Sequence, residues 1–128
     1  MRFMSDRELI YEKLLQVSVA LGRIDRRFSE ISSPADFYET ERGEDLLDAI
    51  SMMFVAIGEN LKWLDRVTDG KIFEGYPEVN WRGAKGMRDV LAHRYFDIDA
   101  EEVFTICDRR LPGLRRAVEG LLREYRDR

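Results

Sequence analysis

Residues 6–31 of the chain, DRELIYEKLLQVSVALGRIDRRFSEI, carry the pattern that decides its fold. Apolar side chains recur there in alternating steps of four and three residues, which is the spacing of a continuous stripe along an α-helix. This helix is therefore predicted to bury one long face against other helices. Ser5 and Glu8 form a capping-box pattern at its start. The stripe consists of Ile10, Leu14, Val17, Leu21, Ile24, Phe28 and Ile31.

A second long helix is predicted from near Thr40 or Gly43 to about Val67, where the same spacing returns. Before it, Ser33-Pro34 suits the N-cap and first position of a short helical turn. Asp69-Gly70 is a turn signal that ends the second helix. Its predicted core positions are Leu46, Leu47, Ile50, Met53, Phe54, Ile57, Leu61 and Leu64.

Two further helices are predicted after a loop at residues 70–80. Asn80 is expected to cap a third helix from Trp81 to about Phe96. Asp99 and Glu102 then form another capping-box pattern at the start of the last helix. The apolar positions of that helix are Val103, Cys107, Leu111, Leu114, Val118, Leu121 and Tyr125.

The fold class predicted from these segments is all-α. Apolar and polar residues do not alternate with period two over a useful length, so no sheet is expected. The chain has 128 residues and shows no linker or internal repeat, which favours one domain over residues 1–128. We expect an antiparallel bundle of four main helices, with the last helix kinked or split at Pro112.

Composition favours a cytoplasmic protein that does not enter a membrane. Hydrophobic residues make up 45% of the chain, but no apolar run approaches the roughly 20 residues that span a bilayer. The first six residues, MRFMSD, lack the apolar region of a secretory signal. Cys107 is the single cysteine, so it has no internal disulfide partner and is expected to be a buried structural thiol.

Charge is distributed unevenly. The net charge of −4 argues against a protein that coats nucleic acid non-specifically. Residues 109–128, however, hold seven arginines against three acids. This segment is either a solvated helix face or a strip that steers a phosphate-bearing ligand or an acidic partner.

The candidate catalytic residues lie in the segment RDVLAHRY, residues 88–95, which contains the only histidine of the chain. On a helix, Arg88 and His93 would be separated by about 140° and would bracket an arc that faces away from the apolar stripe. Ala92 would lie inside that arc as a shallow floor, and Tyr95 would return to within about 20° of Arg88.

This arrangement suits a phosphodiester substrate. The guanidinium of Arg88 can grip phosphate and stabilise added negative charge. His93 can remove or donate a proton near neutral pH, and Asp89, four residues earlier, can orient its imidazole. When a 2′-hydroxyl of RNA attacks the adjacent phosphodiester, the reaction needs a base, an acid and charge stabilisation but no metal. The sequence shows no evident metal-ligand spacing and no sign of a cofactor.

The chain has one histidine, whereas moving protons at both ends of the reaction usually takes two groups. A homodimer that brings two copies of the third helix together would supply two histidines and two arginines in one composite site. Considered by spacing alone, the same residues also fit a structural role. His93 would then be favoured by a helix C-terminus, Arg88 would form a surface ion pair and Tyr95 would be half-buried.

The chain from residue 45 onwards resembles the HepT-like branch of the HEPN superfamily. The resemblance rests on Ile57-Gly58-Glu59-Asn60, on YPEVNWR at residues 76–82 and on GMRDVLAHRYFDID at residues 86–99. It continues into Leu111-Pro112-Gly113-Leu114. The core pattern of Arg, His and Tyr is weakly specific alone, but it is specific when joined in this order to the YPE segment.

The resemblance implies a dimeric HEPN-like helical bundle and a metal-independent ribonuclease that uses Arg88 and His93. It also implies a toxin neutralised by a small MNT-type nucleotidyltransferase, which can transfer AMP to the motif tyrosine, here Tyr95. The chain departs from the family at Asp89, where asparagine is usual, and Arg94 adds a compensating charge. Glu59 matches the family's IGE element and is a candidate contact behind the site.

The leading functional hypothesis is therefore a homodimeric, metal-independent endoribonuclease toxin that acts on RNA and is silenced by AMPylation. A second hypothesis is a non-catalytic HEPN scaffold that binds a nucleotidyltransferase partner or nucleotides, and a third is a helical dimer without activity. Trp81 and Tyr76 are expected to pack the loop over the bundle; stacking on RNA bases is the alternative.

Overall fold

A computed structural model describes residues 5–87 and 98–126. Two long helices, α1 (Asp6–Phe28) and α2 (Glu41–Thr68), are joined through a 3₁₀ helix at Pro34–Phe37. A second 3₁₀ helix at Lys71–Phe73 leads to the short helix α3 (Trp81–Lys85). The last helical run consists of α4 (Ala100–Thr105), a π-helical turn (Ile106–Arg110) and α5 (Leu111–Tyr125).

Helix α1 begins and packs as predicted. The Ser5 hydroxyl accepts a hydrogen bond from the backbone N–H of Glu8 at 3.1 Å, which satisfies one of the unpaired donors at the helix start. Phe28 is partly buried, and the other six positions of the predicted stripe are buried in the core. The last of them, Ile31, lies beyond the end of α1 at Phe28. Ser33 and Pro34 open the 3₁₀ helix, as predicted.

Helix α2 also begins and ends where the sequence indicates. The Thr40 hydroxyl caps it by accepting from the N–H of Gly43 at 2.8 Å. At the other end, Asp69 (φ 53°) and Gly70 (φ 74°) are consecutive left-handed residues, which stop the helix. Met53 is partly buried, and the remaining predicted core positions of α2 are buried.

Contacts between the long helices show that they run antiparallel. Near the α1–α2 connection, Arg42 and Glu30 form a salt bridge at 2.7 Å. Farther along, the Asn60 amide donates to the Gln16 side chain at 2.9 Å. Residues later in α2 therefore contact residues earlier in α1. The two helices run antiparallel, which is the arrangement that short connections favour.

The last helical run also packs antiparallel to α1. The rings of Phe28 and Phe104 lie 5.2 Å apart, and at the far end of α1 the Arg7 guanidinium donates to the Glu124 carbonyl at 2.6 Å. The predicted interruption near Pro112 is confirmed. The N–H of Leu111 bonds to the carbonyl of Ile106, five residues back, in the π-helical turn that precedes the proline.

The predicted third helix is shorter than expected. The α-helix starts at Trp81, capped by the Asn80 side chain, which accepts from the N–H of Gly83 at 2.9 Å. It ends at Lys85, with Gly86 as its C-cap, so the prediction of one unbroken helix through Gly86 is wrong. Glycine is a poor helix former and favours a helix end. The predicted continuation lies outside the described residues.

The buried apolar side chains of these elements form one cluster, which confirms the all-α fold class. The described parts of the chain contain helices and turns but no strand. Within the same parts, no helix is both long enough and apolar enough to cross a membrane.

Candidate functional site

The predicted catalytic segment lies outside the described residues. This applies to Arg88, Asp89, His93, Arg94 and Tyr95. The described chain stops at Met87, directly before the motif, and resumes at Ile98, three residues after Tyr95. The site can therefore be built from the elements that hold these two ends.

The upstream end is fixed to helix α2 and the core. The side chain of Met87 is only 6% exposed. Lys85 forms a salt bridge with Asp65 of α2 at 3.1 Å, and both side chains are partly shielded from water. Phe73 and Trp81 stack with ring centroids 4.2 Å apart. Short α3 is thus held by packing and charge, because five residues would not form a stable helix alone.

Tyr76 and Trp81 close the loop over the bundle, as predicted. The indole N–H of Trp81 donates to the Tyr76 carbonyl at 2.9 Å. The Tyr76 hydroxyl lies against Gly120 of α5, where a Cβ atom would overlap it. Both aromatic side chains are partly buried and pack against the core cluster. The packing interpretation is therefore confirmed for these two residues.

The downstream end is held by the start of α4. The Asp99 carboxylate accepts hydrogen bonds from the backbone N–H groups of Glu101 and Glu102 at 3.0 and 3.2 Å. Ala100 is fully buried. An anionic cap satisfies unpaired donors and complements the positive end of the helix dipole.

A cavity of about 680 Å³ lies between α3 with its preceding loop and the last helical run. Its size is that of a small-molecule or nucleotide pocket. Met87 belongs to its wall, so the cavity reaches the residue directly before the motif. The main apolar side chains of the wall are Val79, Ala84, Met87, Ile106, Leu111 and Leu114.

The cavity wall also carries charged groups of both signs. Arg109 and Arg110 come from the π-helical turn and Arg116 from α5, while Glu78 and Glu102 contribute carboxylates. These three positive and two negative charges leave a formal charge of +1. In the described parts of the chain, none of the three arginines forms a salt bridge.

The predicted basic strip is therefore divided between two surfaces. Arg115 turns to α1, where it forms a salt bridge with Asp25 at 2.6 Å. Its neighbour Arg116 lines the cavity, together with Arg109 and Arg110. Arg123 and Arg126 are exposed and lie outside the cavity wall.

Comparison with known proteins places this site in a family. The family model described as "Ribonuclease HepT-like" matches residues 17–121, which include the motif and the whole cavity wall. The chain belongs to this family. Both the family description and the relatives below support an RNase-type function for its members.

Three similar proteins come from Methanocaldococcus jannaschii. "Putative RNase MJ0125" is 25% identical over 93 residues, which cover 73% of this chain and 77% of that protein. "Putative RNase MJ0127" is 26% identical over 95 residues, 74% of this chain and 75% of that protein. "Putative RNase MJ1380" is 26% identical over 90 residues, 70% and 79% of the two chains. No solved structure matches the chain significantly.

Two other predicted residues are found in the described helices. Glu59, the candidate contact behind the site, is an exposed residue of α2. Cys107 is buried, and this burial raises the pKa of its thiol to about 12, with the nearby carboxylates of Asp25 and Asp108 adding to the rise. A thiol that stays protonated at physiological pH is a poor nucleophile, so the structural interpretation of Cys107 is confirmed.

The described residues contain no group of three or more His, Cys, Asp and Glu side chains that could hold a metal ion. The cavity itself was not predicted from the sequence. The sequence indicated two of its features: the basic strip, which contains Arg109, Arg110 and Arg116, and the interruption of the last helix near Pro112. Their meeting with α3 depends on how distant segments pack.

Proposed function

We propose that this member of the HepT-like family is a metal-independent endoribonuclease that acts as a homodimer. In this proposal Arg88 and His93 form the catalytic pair and Asp89 orients the imidazole. It is the toxin of a toxin–antitoxin pair, and an MNT-type nucleotidyltransferase silences it by AMPylating Tyr95.

The observation that carries the proposal is the family match, because it spans the motif in which an arginine, the only histidine and a tyrosine have the family's spacing. The frame around the motif supports it. Met87 and Ala100, on either side of the motif segment, are both buried, so the segment is anchored at two fixed points. Catalytic groups on a rigid scaffold lose little entropy when the substrate binds.

The proposed chemistry needs only protein side chains and the RNA itself. One imidazole removes the proton of a ribose 2′-hydroxyl, whose oxygen attacks the adjacent phosphorus. The bond from phosphorus to the 5′-oxygen of the next nucleotide breaks, and that oxygen receives a proton from the second imidazole. The Arg88 guanidinium stabilises the added negative charge on phosphate. The products end in a 2′,3′-cyclic phosphate and a 5′-hydroxyl.

The proposed regulation acts on the same segment. The tyrosine hydroxyl attacks the α-phosphate of ATP, AMP becomes attached to Tyr95 and pyrophosphate leaves. Tyr95 is two residues from His93, so a bulky nucleotide with its phosphate charge would occupy the place of the substrate near Arg88.

The nuclease proposal is tested with purified protein and a fluorescent RNA in the presence of EDTA. Wild-type protein should cleave it to products with cyclic phosphate ends, and His93→Ala should be at least ~100-fold slower, since a general acid–base group contributes about 10²–10⁴-fold. Arg88→Ala should be similarly impaired, whereas the matched variant Arg123→Ala, an exposed arginine of α5, should retain activity. Cleavage that disappears with EDTA, or that persists in His93→Ala, contradicts the proposal.

The regulatory proposal is tested by co-expression with a nucleotidyltransferase encoded next to this chain. Intact mass should increase by AMP units in the wild type and not in Tyr95→Phe. A second tyrosine variant, Tyr11→Phe, tests whether the modification is specific to the motif. Addition of AMP to Tyr95→Phe as well would contradict the assignment of the site.

A second candidate function is a non-catalytic scaffold that binds a nucleotidyltransferase partner or nucleotides. Asp89 favours it, because a carboxylate beside the catalytic pair repels the phosphate that a nuclease must approach. Asp89→Asn distinguishes the two functions. A nuclease slowed by this charge becomes faster in the variant, whereas a scaffold cleaves no RNA in either form.

A further inference from the structure

We propose that the cavity between α3 and the last helical run is an RNA-binding subsite that holds one nucleotide next to the catalytic motif. Its arginines would hold the phosphate and its apolar wall would receive the ribose and base. This inference rests on the proposed function, since it assigns the substrate's path beyond the motif.

The positive charges of the cavity wall all come from the last helical run. Arg109 and Arg116 are seven residues apart, with Gly113 between them, and this spacing is typical of one helix face. A Cβ atom on Gly113 would lie 3.7 Å from Arg116 Nη2, so the guanidinium lies over this glycine. Because residue 113 has no side chain, nothing at this position covers the helix face, and the charged groups are accessible from the cavity.

Arg109 and Arg110 belong to a π-helical turn. Pro112 has no N–H to complete an α-helical turn, and the chain instead bonds the Leu111 N–H to the Ile106 carbonyl. Such turns inside helices are frequent at functional sites. Here the turn carries two consecutive arginines of the cavity wall.

The three cavity arginines are not used to hold the described fold together. Arg115, Arg42 and Lys85 each form a salt bridge within the described residues, whereas Arg109, Arg110 and Arg116 form none there. Three guanidinium groups around one pocket suit a phosphate, which accepts their planar pairs of N–H donors.

The remaining wall suits the rest of a nucleotide. The volume of about 680 Å³ lies within the range of pockets that bind small organic ligands. Val79, Ala84 and Leu114 offer apolar contact area. Glu78 and Glu102 can accept hydrogen bonds from ribose hydroxyls or base amino groups. The pocket therefore combines the donors, acceptors and apolar area that a nucleotide requires.

Binding is tested with a short single-stranded 2′-O-methyl RNA labelled with fluorescein, which cannot be cleaved by attack of a 2′-hydroxyl. The double variant Arg109→Ala/Arg110→Ala should bind at least about tenfold more weakly than wild type, because hydrogen bonds to charged groups contribute about 1.5–3 kcal/mol each. The slope of log affinity against log salt should fall by about 0.7 per lost phosphate contact.

The matched control is Arg123→Ala/Arg126→Ala, which removes the same charge from exposed positions outside the cavity. Its affinity should remain within about twofold of the wild type if the effect is local, because a distant surface charge is screened by salt. Equal losses in the two double variants would overturn the subsite, since they would show a general effect of charge.

A second variant tests the pocket without changing charge. Ala84→Leu adds bulk to the cavity wall and should weaken RNA binding, whereas Ala56→Leu, on the exposed surface of α2, should not. Unchanged binding by Ala84→Leu and by the cavity arginine variant overturns the inference. AMP is titrated in parallel: saturable binding of AMP without binding of the RNA also overturns it.

The cleavage assay separates this inference from the proposed function. If the cavity variants cleave RNA and bind it as the wild type does, the nuclease proposal stands and the subsite is overturned. If RNA binding depends on the cavity but no RNA is cleaved, the nuclease proposal is overturned and the subsite stands.

Discussion

At the residue scale, Gly43 shows how a single missing side chain permits the packing of two elements. A Cβ atom there would overlap the backbone carbonyl oxygen of Asp36 and would lie 3.2 Å from the Cα of Phe37. These are backbone atoms, which cannot move aside as the end of a flexible side chain can. The close approach of α2 to the 3₁₀ helix therefore depends on this glycine.

Gly43→Ala should accordingly lower the free energy of unfolding by about 1–3 kcal/mol, the usual cost of overpacking. Gly22→Ala is the matched change, because a Cβ at Gly22 would meet nothing within 4 Å and alanine favours the helix. It should raise the free energy of unfolding by about 0.5–1 kcal/mol. Urea denaturation measures both free energies of unfolding. Equal effects of the two substitutions would show that the close approach of Gly43 to Asp36 does not determine the cost of the added Cβ atom.

Cys107 leads to a prediction about pH. Its thiol has a pKa raised to about 12 in the folded protein, against about 8.5 when unfolded. Between these values the unfolded chain releases this proton and the folded chain keeps it, so the stability of the fold falls as pH rises. Above pH ~8.5 the free energy of unfolding should fall by up to about 1.4 kcal/mol per pH unit because of this group. Below pH ~8 the thiol is protonated in both states, and its contribution to stability is fully retained.

The measurement is urea denaturation of wild type and Cys107→Ala between pH 8 and pH 10. The wild type should lose stability more steeply than the variant, in which this group is absent. A thiol reagent such as DTNB should react with Cys107 only after unfolding. Rapid reaction with the folded protein, or parallel pH profiles, would show that the thiol is not held protonated by burial.

At the element scale, the two ends of the motif segment depend on different forces. The upstream helix α3 is only five residues long and is held by the stacking of Trp81 on Phe73 and by the Lys85–Asp65 salt bridge. The downstream helix α4 starts at a charged cap, Asp99. Local capping could be predicted from the sequence. The end of α3 at Lys85 also had a local signal in Gly86, a poor helix former, which the prediction of one unbroken helix did not use.

Asp99→Ala should destabilise the protein by about 1 kcal/mol, because two backbone N–H groups at the start of α4 lose their acceptor. Asp99→Asn is the control: its side-chain oxygen can still accept, so most of the stability should remain. The midpoint of urea unfolding gives the comparison. If Asn and Ala at this position were equally destabilising, the charge and not the hydrogen bonds would account for the cap.

At the scale of the whole molecule, the proposed composite site predicts that one inactive subunit inactivates the dimer. The double variant Arg88→Ala/His93→Ala lacks both catalytic groups. A mixed dimer of one wild-type and one double-variant subunit retains a single imidazole and should cleave RNA at least ~100-fold more slowly than the wild type, because the acid and the base come from different subunits. The test is co-expression with two affinity tags, purification of the mixed dimer and the EDTA-resistant cleavage assay.

The two homodimers, carried through the same purification, are the controls. A loss of activity in the mixed dimer comparable to that of the double-variant homodimer supports a site shared across the symmetry axis. A mixed dimer with about half of the wild-type activity would place all catalytic groups of each site on one subunit. A monomeric wild-type protein, measured by light scattering, would also contradict the composite site.

What the sequence by itself determined is the set of elements and the candidate chemistry. The stripe along α1, the caps at Ser5, Thr40 and Asp99, and the interruption near Pro112 depend on residues within a few positions of each other, so local spacing predicts them. The family resemblance and the motif of Arg88 and His93 were likewise evident from order and spacing.

What only the tertiary structure decided is where distant segments meet. The contact of Tyr76 with Gly120, the approach of Gly43 to Asp36 and the cavity formed by α3 with the arginines of the last helical run join residues far apart in the chain. Periodicity within a helix specifies which face is buried, but the partner of that face depends on packing all helices together at once. The motif was therefore evident from the sequence, whereas the pocket, whose wall includes Met87, was evident only from the fold.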